Sequence, residues 1–173
     1  MLLLFVLLTS ATALAAEKTL PIPGLGAFTV PEDVEILAAK QIDNNFPSNT
    51  LWGNDNGTWR SITMLFVPTP NIDEEAFKHA KKLESAFDEL LTKIIKDHDA
   101  KLLYSSPINK SVINNKQLAL ISSKYLDAGR EVHLDLYIVQ GINEGVGIVT
   151  IYFDHNSEYW NPRVAKMIAD IKQ

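Results

Sequence analysis

Two neighbouring segments in the C-terminal third of the chain constrain its fold more than any other feature. In residues 131–140 apolar and polar side chains alternate, which is the pattern of a strand with one buried face. Residues 146–153 are apolar almost throughout, which is typical of a central strand covered on both faces. A turn over residues 141–145 joins them. Together they predict an antiparallel sheet that needs cover on both sides.

Two segments have the pattern of helices that could provide this cover. Residues 71–96 open with Asn71 and Glu74, an Asn-x-x-Glu form of the capping box. Asn161 is predicted to cap a C-terminal helix, with Pro162 at its first position and a stripe of Val164, Met167, Ile168 and Ile171. The apolar stripe of the longer segment consists of Ala76, Ala80, Leu83, Phe87, Leu90, Leu91, Ile94 and Ile95.

These elements predict an α+β domain. Its antiparallel sheet would carry one long central helix over residues 71–96 and a C-terminal helix. Because residues 146–153 are apolar on both sides, we expect the helices on opposite faces, as a three-layer α/β/α sandwich.

The N-terminal half is less regular. Residues 51–67 predict a hairpin that turns at 53–57, because Asn56 and Gly57 both tolerate positive φ angles. Residues 27–30 predict a strand, and 34–39 fit either a strand or a short helix. The Asn-rich residues 42–50 are interpreted as a loop.

The first fifteen residues have the features of a signal peptide. An apolar run over residues 2–8 leads to Ala13-x-Ala15, and cleavage is expected after Ala15. The alternative is a retained anchor, although the run is shorter than the ~20 residues of a membrane-spanning helix. We therefore divide the 173-residue chain into a signal peptide at 1–15, an extended arm at 16–26 and a single domain at 27–173. The predicted location is secreted or periplasmic.

Composition narrows the possible partners. The net charge is −5, and lysine and arginine do not cluster, so nucleic acid is disfavoured as a partner. The absence of cysteine removes disulfides and thiolate metal sites, and it favours a bacterial envelope or secreted protein. No sequence motif indicates a cofactor. We expect no stable membrane insertion after signal cleavage.

Aromatic residues supply the candidate ligand contacts. Trp52 and Trp59 flank the hairpin turn, where two exposed indoles could stack on a sugar or grip a peptide. The alternative is a cross-strand aromatic pair that only stabilises the hairpin. Tyr137 and Tyr152 are weaker candidates for the same role.

A second candidate site follows from the polar face of residues 131–140. Glu131, His133 and Asp135 point the same way, and His155 ends the neighbouring strand, so these four residues could hold a divalent metal. The alternative is a solvated sheet face without chemistry. No catalytic residue is assigned, because no nucleophile motif such as Gly-x-Ser-x-Gly is present.

The order of elements resembles the PsbP-like fold. The resemblance rests on Phe28-Thr29-Val30-Pro31-Glu32, on one long helix in mid-chain, and on an ending that runs from strand 146–153 through Asn161-Pro162-Arg163. That fold includes an extrinsic protein of photosystem II, an import factor that binds the GTPase Ran, and bacterial envelope proteins. The resemblance implies binding and assembly roles, and it transfers no functional residue.

The leading hypothesis is therefore a non-enzymatic secreted or envelope domain that binds a protein or a small ligand. One rival is a metal-dependent hydrolase that uses the Glu131, His133 and Asp135 face. Another is a structural subunit of an envelope assembly.

Overall fold

The computed structural model describes residues 17–42, 46–69, 72–95, 100–141 and 144–172. Within these residues the chain forms ten strands and two α-helices, and a short 3₁₀ turn precedes each helix. The elements are β1 (Thr19–Ile22), β2 (Gly26–Thr29), β3 (Val34–Ile42), β4 (Phe46–Asp55), β5 (Thr58–Thr69), α1 (Ala80–Ile95), β6 (Lys101–Ser105), β7 (Asn109–Ile113), β8 (Lys116–Asp127), β9 (Arg130–Gln140), β10 (Gly145–Phe153) and α2 (Ser157–Ala169).

One eight-stranded sheet dominates the described part of the chain. Its strand order is β3-β4-β5-β10-β9-β8-β6, with β7 also paired to β8, and every pairing is antiparallel. β10 lies between β5 and β9, and its first six residues are buried. The predicted α+β class and the central position of residues 146–153 are confirmed.

The β4–β5 hairpin turns where the sequence predicts. Asp55 pairs with Thr58 across a two-residue turn, and Asn56 and Gly57 have φ angles of 50° and 87°. Both angles lie in the left-handed region, so asparagine and glycine suit the turn that matches the twist of the strands. The turn therefore sets the register that places Trp52 and Trp59.

The buried apolar residues form two clusters. Alternate residues of a strand point to opposite faces of a sheet, and on β5 Met64 belongs to one cluster and Val67 to the other. The first cluster contains the α2 residues Trp160, Val164, Met167 and Ile168 together with Leu20, Ile22 and Phe28 of the β1–β2 hairpin. The second contains the α1 residues Leu83, Phe87 and Leu90.

The prediction of a single helix over residues 71–96 is wrong. A 3₁₀ turn at Ala76–Lys78 comes first, and His79 then has an extended backbone with φ −109° and ψ 103°, which interrupts the helix before it can form one run. The Asp73 carboxylate accepts a hydrogen bond from the Ala76 backbone N–H at 2.9 Å and stabilises that turn. The helix proper has 16 residues, and its Leu83, Phe87 and Leu90 side is buried as expected.

The C-terminal helix begins earlier than its predicted cap. Ser157 is its first residue, so Asn161 and Pro162 lie inside α2. The apolar stripe of α2 that packs on the sheet starts with Trp160, which is fully buried. The stripe continues with Val164 one turn later. The Asn161 side chain is therefore not a cap and has another partner, described below.

Two further segments differ from the sequence-based interpretation. Residues 46–50, interpreted as part of a loop, belong to β4, which is held between β3 and β5. Residues 34–39, left open between strand and helix, belong to β3.

The segment expected to be an extended arm contributes to the fold. β1 pairs with β2, and Leu20, Ile22 and Leu25 are buried in the α2-side cluster. This hairpin also meets the C-terminal end of the chain, because the backbones of Ala27 and Lys172 exchange hydrogen bonds of 2.8 and 3.0 Å.

The signal peptide predicted at 1–15, the Asn71 cap and residues 96–99 lie outside the described residues. In the ranges that are described, neither helix is long and apolar enough to cross a membrane.

Candidate functional site

The two hairpin tryptophans are exposed and adjacent. Trp52 is 38% exposed and Trp59 is 51% exposed, and their ring centroids lie 6.0 Å apart with the planes tilted by 52°. Trp52 pairs with Ser61 and Trp59 pairs with Asn54, so the two rings are diagonal neighbours on one sheet face. They form a diagonal cross-strand pair, and at the same time they offer aromatic surface to solvent.

This face is the one against which α1 packs, but the tryptophans lie away from the α1 contact. Trp59 and Val67 point to the same side of β5, and Val67 belongs to the α1-side cluster. Eight residues separate them, which is about 26 Å along an extended strand. The hairpin end of the sheet face is therefore open.

Neighbouring side chains make this open face partly apolar and partly acidic. Leu37 on β3 pairs with Thr50, and Glu35 pairs with Trp52, so all four residues share a face with Trp59. Leu37 is 39% exposed. We call Glu35, Leu37, Trp52 and Trp59 the tryptophan face.

The reverse side of the hairpin is fixed to α2. Gly53 packs directly under the ring of Tyr159, whose hydroxyl donates a hydrogen bond of 2.9 Å to Asp33. The Arg163 guanidinium lies 3.7 Å from the centre of that ring and forms an ion pair of 2.6 Å with the same carboxylate. Burial, together with the hydrogen bond to Asp33, raises the pKa of Tyr159 to about 12. These contacts hold the reverse side of the hairpin against α2.

Arg60 belongs to this supporting layer. It bonds Asp55 at 3.0 Å and the Asn156 amide oxygen at 2.7 Å. Because Arg60 pairs with Gly53, its side chain leaves the sheet on the α2 side. The Arg60 charge is therefore directed away from the tryptophans.

His133 and Asp135 of β9 lie beneath α2, whereas Glu131 is exposed. Asp135 is only 5% exposed. One of its oxygens lies 3.0 Å from His133 Nε2, and the other accepts a 3.0 Å hydrogen bond from the Tyr152 hydroxyl. That hydroxyl also contacts the amide of Asn161 on α2. The polar face is therefore part of the seam between the sheet and α2.

Tyr137 and Tyr152, the weaker candidate ligand contacts, are both buried. Their exposed fractions are 7% and 3%, and both belong to the α2-side cluster. Burial raises the pKa of each hydroxyl. In this conformation neither ring is accessible to an external ligand.

His133 lies among charged groups. Its ring stacks on Tyr152 with centroids 5.0 Å apart, and its Nδ1 atom is 3.5 Å from Asp154 Oδ1. Asp154 also forms an ion pair with Lys124 at 2.9 Å. Burial by itself lowers the pKa of His133, but the two carboxylates outweigh that effect and raise it. The Lys124 ammonium holds the pKa of Asp154 below its ordinary value despite partial burial.

The four residues proposed as metal ligands divide into two groups. His133 and Asp135 belong to the seam beneath α2, while Glu131 and His155 line an open cleft of about 450 Å³ with Arg130, Phe153 and Asp154. In that cleft the His155 ring stacks on Phe153 at 5.7 Å. Among the described residues no group of three or more acidic, histidine or cysteine side chains is arranged to hold a metal ion.

Sequence reasoning missed two links between α2 and the rest of the domain. Asn161 was interpreted as a helix cap, and its contact with Tyr152 has no signal in the sequence because the pattern does not say where α2 docks. The Asp33 contact with Arg163 joins residues 130 positions apart, beyond any local motif.

Known proteins are similar to this chain in fold and not in sequence. No family model and no curated protein sequence matches the chain. Solved structures do match. Cyanobacterial PsbP (CyanoP) from Synechocystis sp. PCC 6803 has a TM-score of 0.56 at 8% identity, and the match covers 94% of this chain and 95% of that one. The fold is PsbP-like.

Two further structures support the assignment of the fold. LpqN of Mycobacterium tuberculosis, a protein involved in cell envelope biogenesis, gives a TM-score of 0.53 at 13% identity, with 87% and 86% of the two chains covered. The protein of unknown function PA94 from Pseudomonas aeruginosa gives 0.51 at 9% identity, with 91% and 96% covered. At these identities the comparisons concern the fold alone, and the predicted PsbP-like fold is confirmed.

Proposed function

We propose that this protein is a non-enzymatic envelope or secreted domain that binds a protein partner through its tryptophan face. The observation that carries the proposal is the pair Trp52 and Trp59, which leaves two large aromatic rings partly exposed on a hairpin that packs on α2. Tryptophan is enriched among residues that dominate binding energy at protein interfaces. A face of this kind on a stable scaffold is suited to recognition.

The shape of the surface favours a macromolecule over a small ligand. Small-molecule sites are concave and enclose most of their ligand. Trp52 and Trp59 lie instead on an open strand face, beside the exposed Leu37. We infer that the partner lays a flat apolar surface on these side chains.

The layer arrangement supports the same conclusion. We infer a three-layer α/β/α sandwich, since α1 and α2 belong to different core clusters that alternate strand residues supply. In that arrangement α1, which has 16 residues and is about 24 Å long, cannot cover the whole sheet. The tryptophan face is then the uncovered remainder.

Location and class of role rest on two indications. The apolar run at residues 2–8 before Ala13-x-Ala15 is a secretion signal pattern. Among solved structures of the same fold, LpqN is described as involved in cell envelope biogenesis and CyanoP as cyanobacterial PsbP. We propose an envelope or extracellular location for this chain too, with either a free binding role or a subunit role in an assembly.

Photo-crosslinking in the native host tests the binding proposal. Benzoylphenylalanine in place of Glu35, which faces the same side as Trp52 and leaves both indoles intact, should give a discrete adduct with a partner. The adduct should be lost in the Trp52→Ala background. The matched control carries the crosslinker at Lys81, an exposed position on α1. Equal adducts from both positions, or an adduct that survives Trp52→Ala, would overturn the proposal.

Two further measurements test the proposed location and the proposed lack of catalytic activity. N-terminal sequencing of the protein recovered from outside the cytoplasm should begin at residue 16. A broad hydrolase screen should find no turnover. Robust activity that is lost in His133→Ala would replace the binding proposal with a hydrolase.

A further inference from the structure

The surroundings of His133 differ from those of the other described histidines, His79 and His155. Its neighbours include two carboxylates on its own strand, a carboxylate from the 3₁₀ turn at Asp154–Asn156, an ammonium from β8 and a phenol from β10. The titratable groups are Glu131, Asp135, Asp154, Lys124 and Tyr152. The side chains of His133 and Asp135 are 13% and 7% exposed.

The geometry indicates which protonation state the cluster prefers. A neutral imidazole carries one N–H, so when Nε2 donates to Asp135 at 3.0 Å the other nitrogen presents a lone pair. That nitrogen, Nδ1, is buried, makes no hydrogen bond within the described chain, and lies 3.5 Å from Asp154 Oδ1. A lone pair facing a carboxylate is repulsive. An imidazolium can instead donate toward both carboxylates.

The chain of contacts begins and ends on one segment. Asp154 belongs to the 3₁₀ turn before α2 and faces His133 on the sheet. His133 contacts Asp135, which bonds the hydroxyl of Tyr152, and that hydroxyl contacts Asn161 on α2. Both ends of this series of contacts therefore lie in residues 154–169, and its middle members belong to β9 and β10.

We propose that His133 is a protonation-dependent latch, which holds residues 154–169 on the sheet in mildly acidic conditions and loosens this segment at alkaline pH. Protonation adds a second charge-assisted hydrogen bond across the seam, and its loss leaves Asp154 tied only to Lys124 on β8. The segment also carries Tyr159 and Arg163, which support the back of the tryptophan hairpin. The latch is independent of the proposed function.

The direction of the pH dependence follows from linkage. The pKa of His133 is raised above its ordinary value of 6.5. A group with a raised pKa in the folded state contributes stability that is complete below its unfolded pKa and is lost as pH rises through the folded value. The contribution of His133 to stability is therefore complete below about pH 6.5. It is lost as the pH rises through the higher pKa that His133 has in the folded protein.

Hydrogen exchange tests the latch on the whole protein. Backbone protection of residues 157–169 is compared at pH 5.5 and pH 8.5, after correction for intrinsic exchange rates. The wild-type protein should show severalfold higher protection of α2 at pH 5.5, while α1 changes less. In His133→Gln this difference between the helices should disappear.

The matched control is His155→Gln, because His155 lies in the turn that follows β10 and its ring stacks on Phe153. It should behave as the wild type does. A second readout avoids dependence on a variant that could fail to fold. The imidazole resonances of wild-type His133 should titrate above 6.5, and Asp154→Asn should lower that midpoint. A midpoint at or below 6.5, or equal pH dependence of α2 in wild type and His133→Gln, would overturn the proposal.

Discussion

Gly53 and Tyr159 are in direct contact, and the contact requires the absence of a side chain on β4. A β-carbon added at position 53 would lie 2.1 Å from the Tyr159 hydroxyl oxygen and 2.4 Å from a ring carbon. Both distances are far below van der Waals contact. The tryptophan hairpin can rest on α2 only because residue 53 is glycine.

Gly53→Ala is therefore expected to destabilise the protein. Overpacking of a well-filled site typically costs about 1–3 kcal/mol. Urea unfolding of Gly53→Ala, Tyr159→Ala and the double variant measures the coupling between the two positions. The alanine at position 53 should cost clearly less once the ring is gone, and additive effects would show that the two residues do not interact.

Tyr152→Phe should destabilise the seam beneath α2. The substitution removes the hydroxyl that donates to the buried Asp135 carboxylate and contacts Asn161. Leaving a buried acceptor without its donor costs about 1–3 kcal/mol. The control is Tyr104→Phe, since Tyr104 is 55% exposed and its free energy of unfolding should barely change. Equal effects from the two variants would contradict the described seam.

Tryptophan fluorescence tests the exposure of the hairpin pair. The chain has three tryptophans, and Trp160 is fully buried. In Trp52→Phe/Trp59→Phe the remaining emission should shift to the blue and resist acrylamide quenching. The free energy of unfolding should fall by no more than about 1.5 kcal/mol, the upper range for an aromatic pair. Emission from the double variant that is still readily quenched would contradict the burial of Trp160.

The ion pair between Asp33 and Arg163 should contribute to stability only above acidic pH. Burial raises the pKa of Asp33, but the Arg163 and Tyr159 hydrogen bonds outweigh that effect and lower it from 3.8. A lowered carboxyl pKa gives stability that is present above the unfolded pKa and is lost as pH falls through the folded one. Because both side chains are about a third exposed, we expect at most about 1 kcal/mol.

Asp33→Asn measures this contribution through unfolding at pH 7 and at pH 2.5. The variant should lose stability at pH 7, and this deficit should be smaller at pH 2.5. A deficit of equal size at both values would assign the effect to packing and not to charge.

Calorimetry with Zn²⁺, Mn²⁺ and Ca²⁺ tests the rival metal site. The four proposed ligands divide between the seam and the open cleft, so we expect no saturable heat from any of the three ions. The His133→Ala variant should give the same trace as the wild type. Saturable binding that this variant abolishes would revive the metal-dependent alternative.

Local sequence signals predicted the features that local physics controls. The positive φ angles of Asn56 and Gly57 follow from residue type, and the hairpin formed at the expected place. The alternation of residues 131–140 indicated a strand and identified its polar side. It could not indicate that α2 would cover Asp135, because burial depends on tertiary docking.

The predicted helix boundaries were wrong for a related reason. Asn161 has the residue type of a cap, but Trp160 before it packs into the core and extends the helix backwards. The apolar period of residues 71–96 passes through His79 without a break, whereas the extended backbone of that residue separates the 3₁₀ turn from α1. Periodicity reports which side chains are buried and does not require one continuous helix between them.

The backbone bridge between Ala27 and Lys172, reinforced by the ion pair of Lys172 with Glu17, brings the two ends of the described chain together. A short glycine linker could therefore join residue 172 to residue 17 without disturbing either core cluster. The chain could then be reopened at the exposed turn of Ala128 and Gly129, between β8 and β9. Such a circular permutant would keep every strand pairing of the sheet. Its new free ends would lie at the turn between β8 and β9.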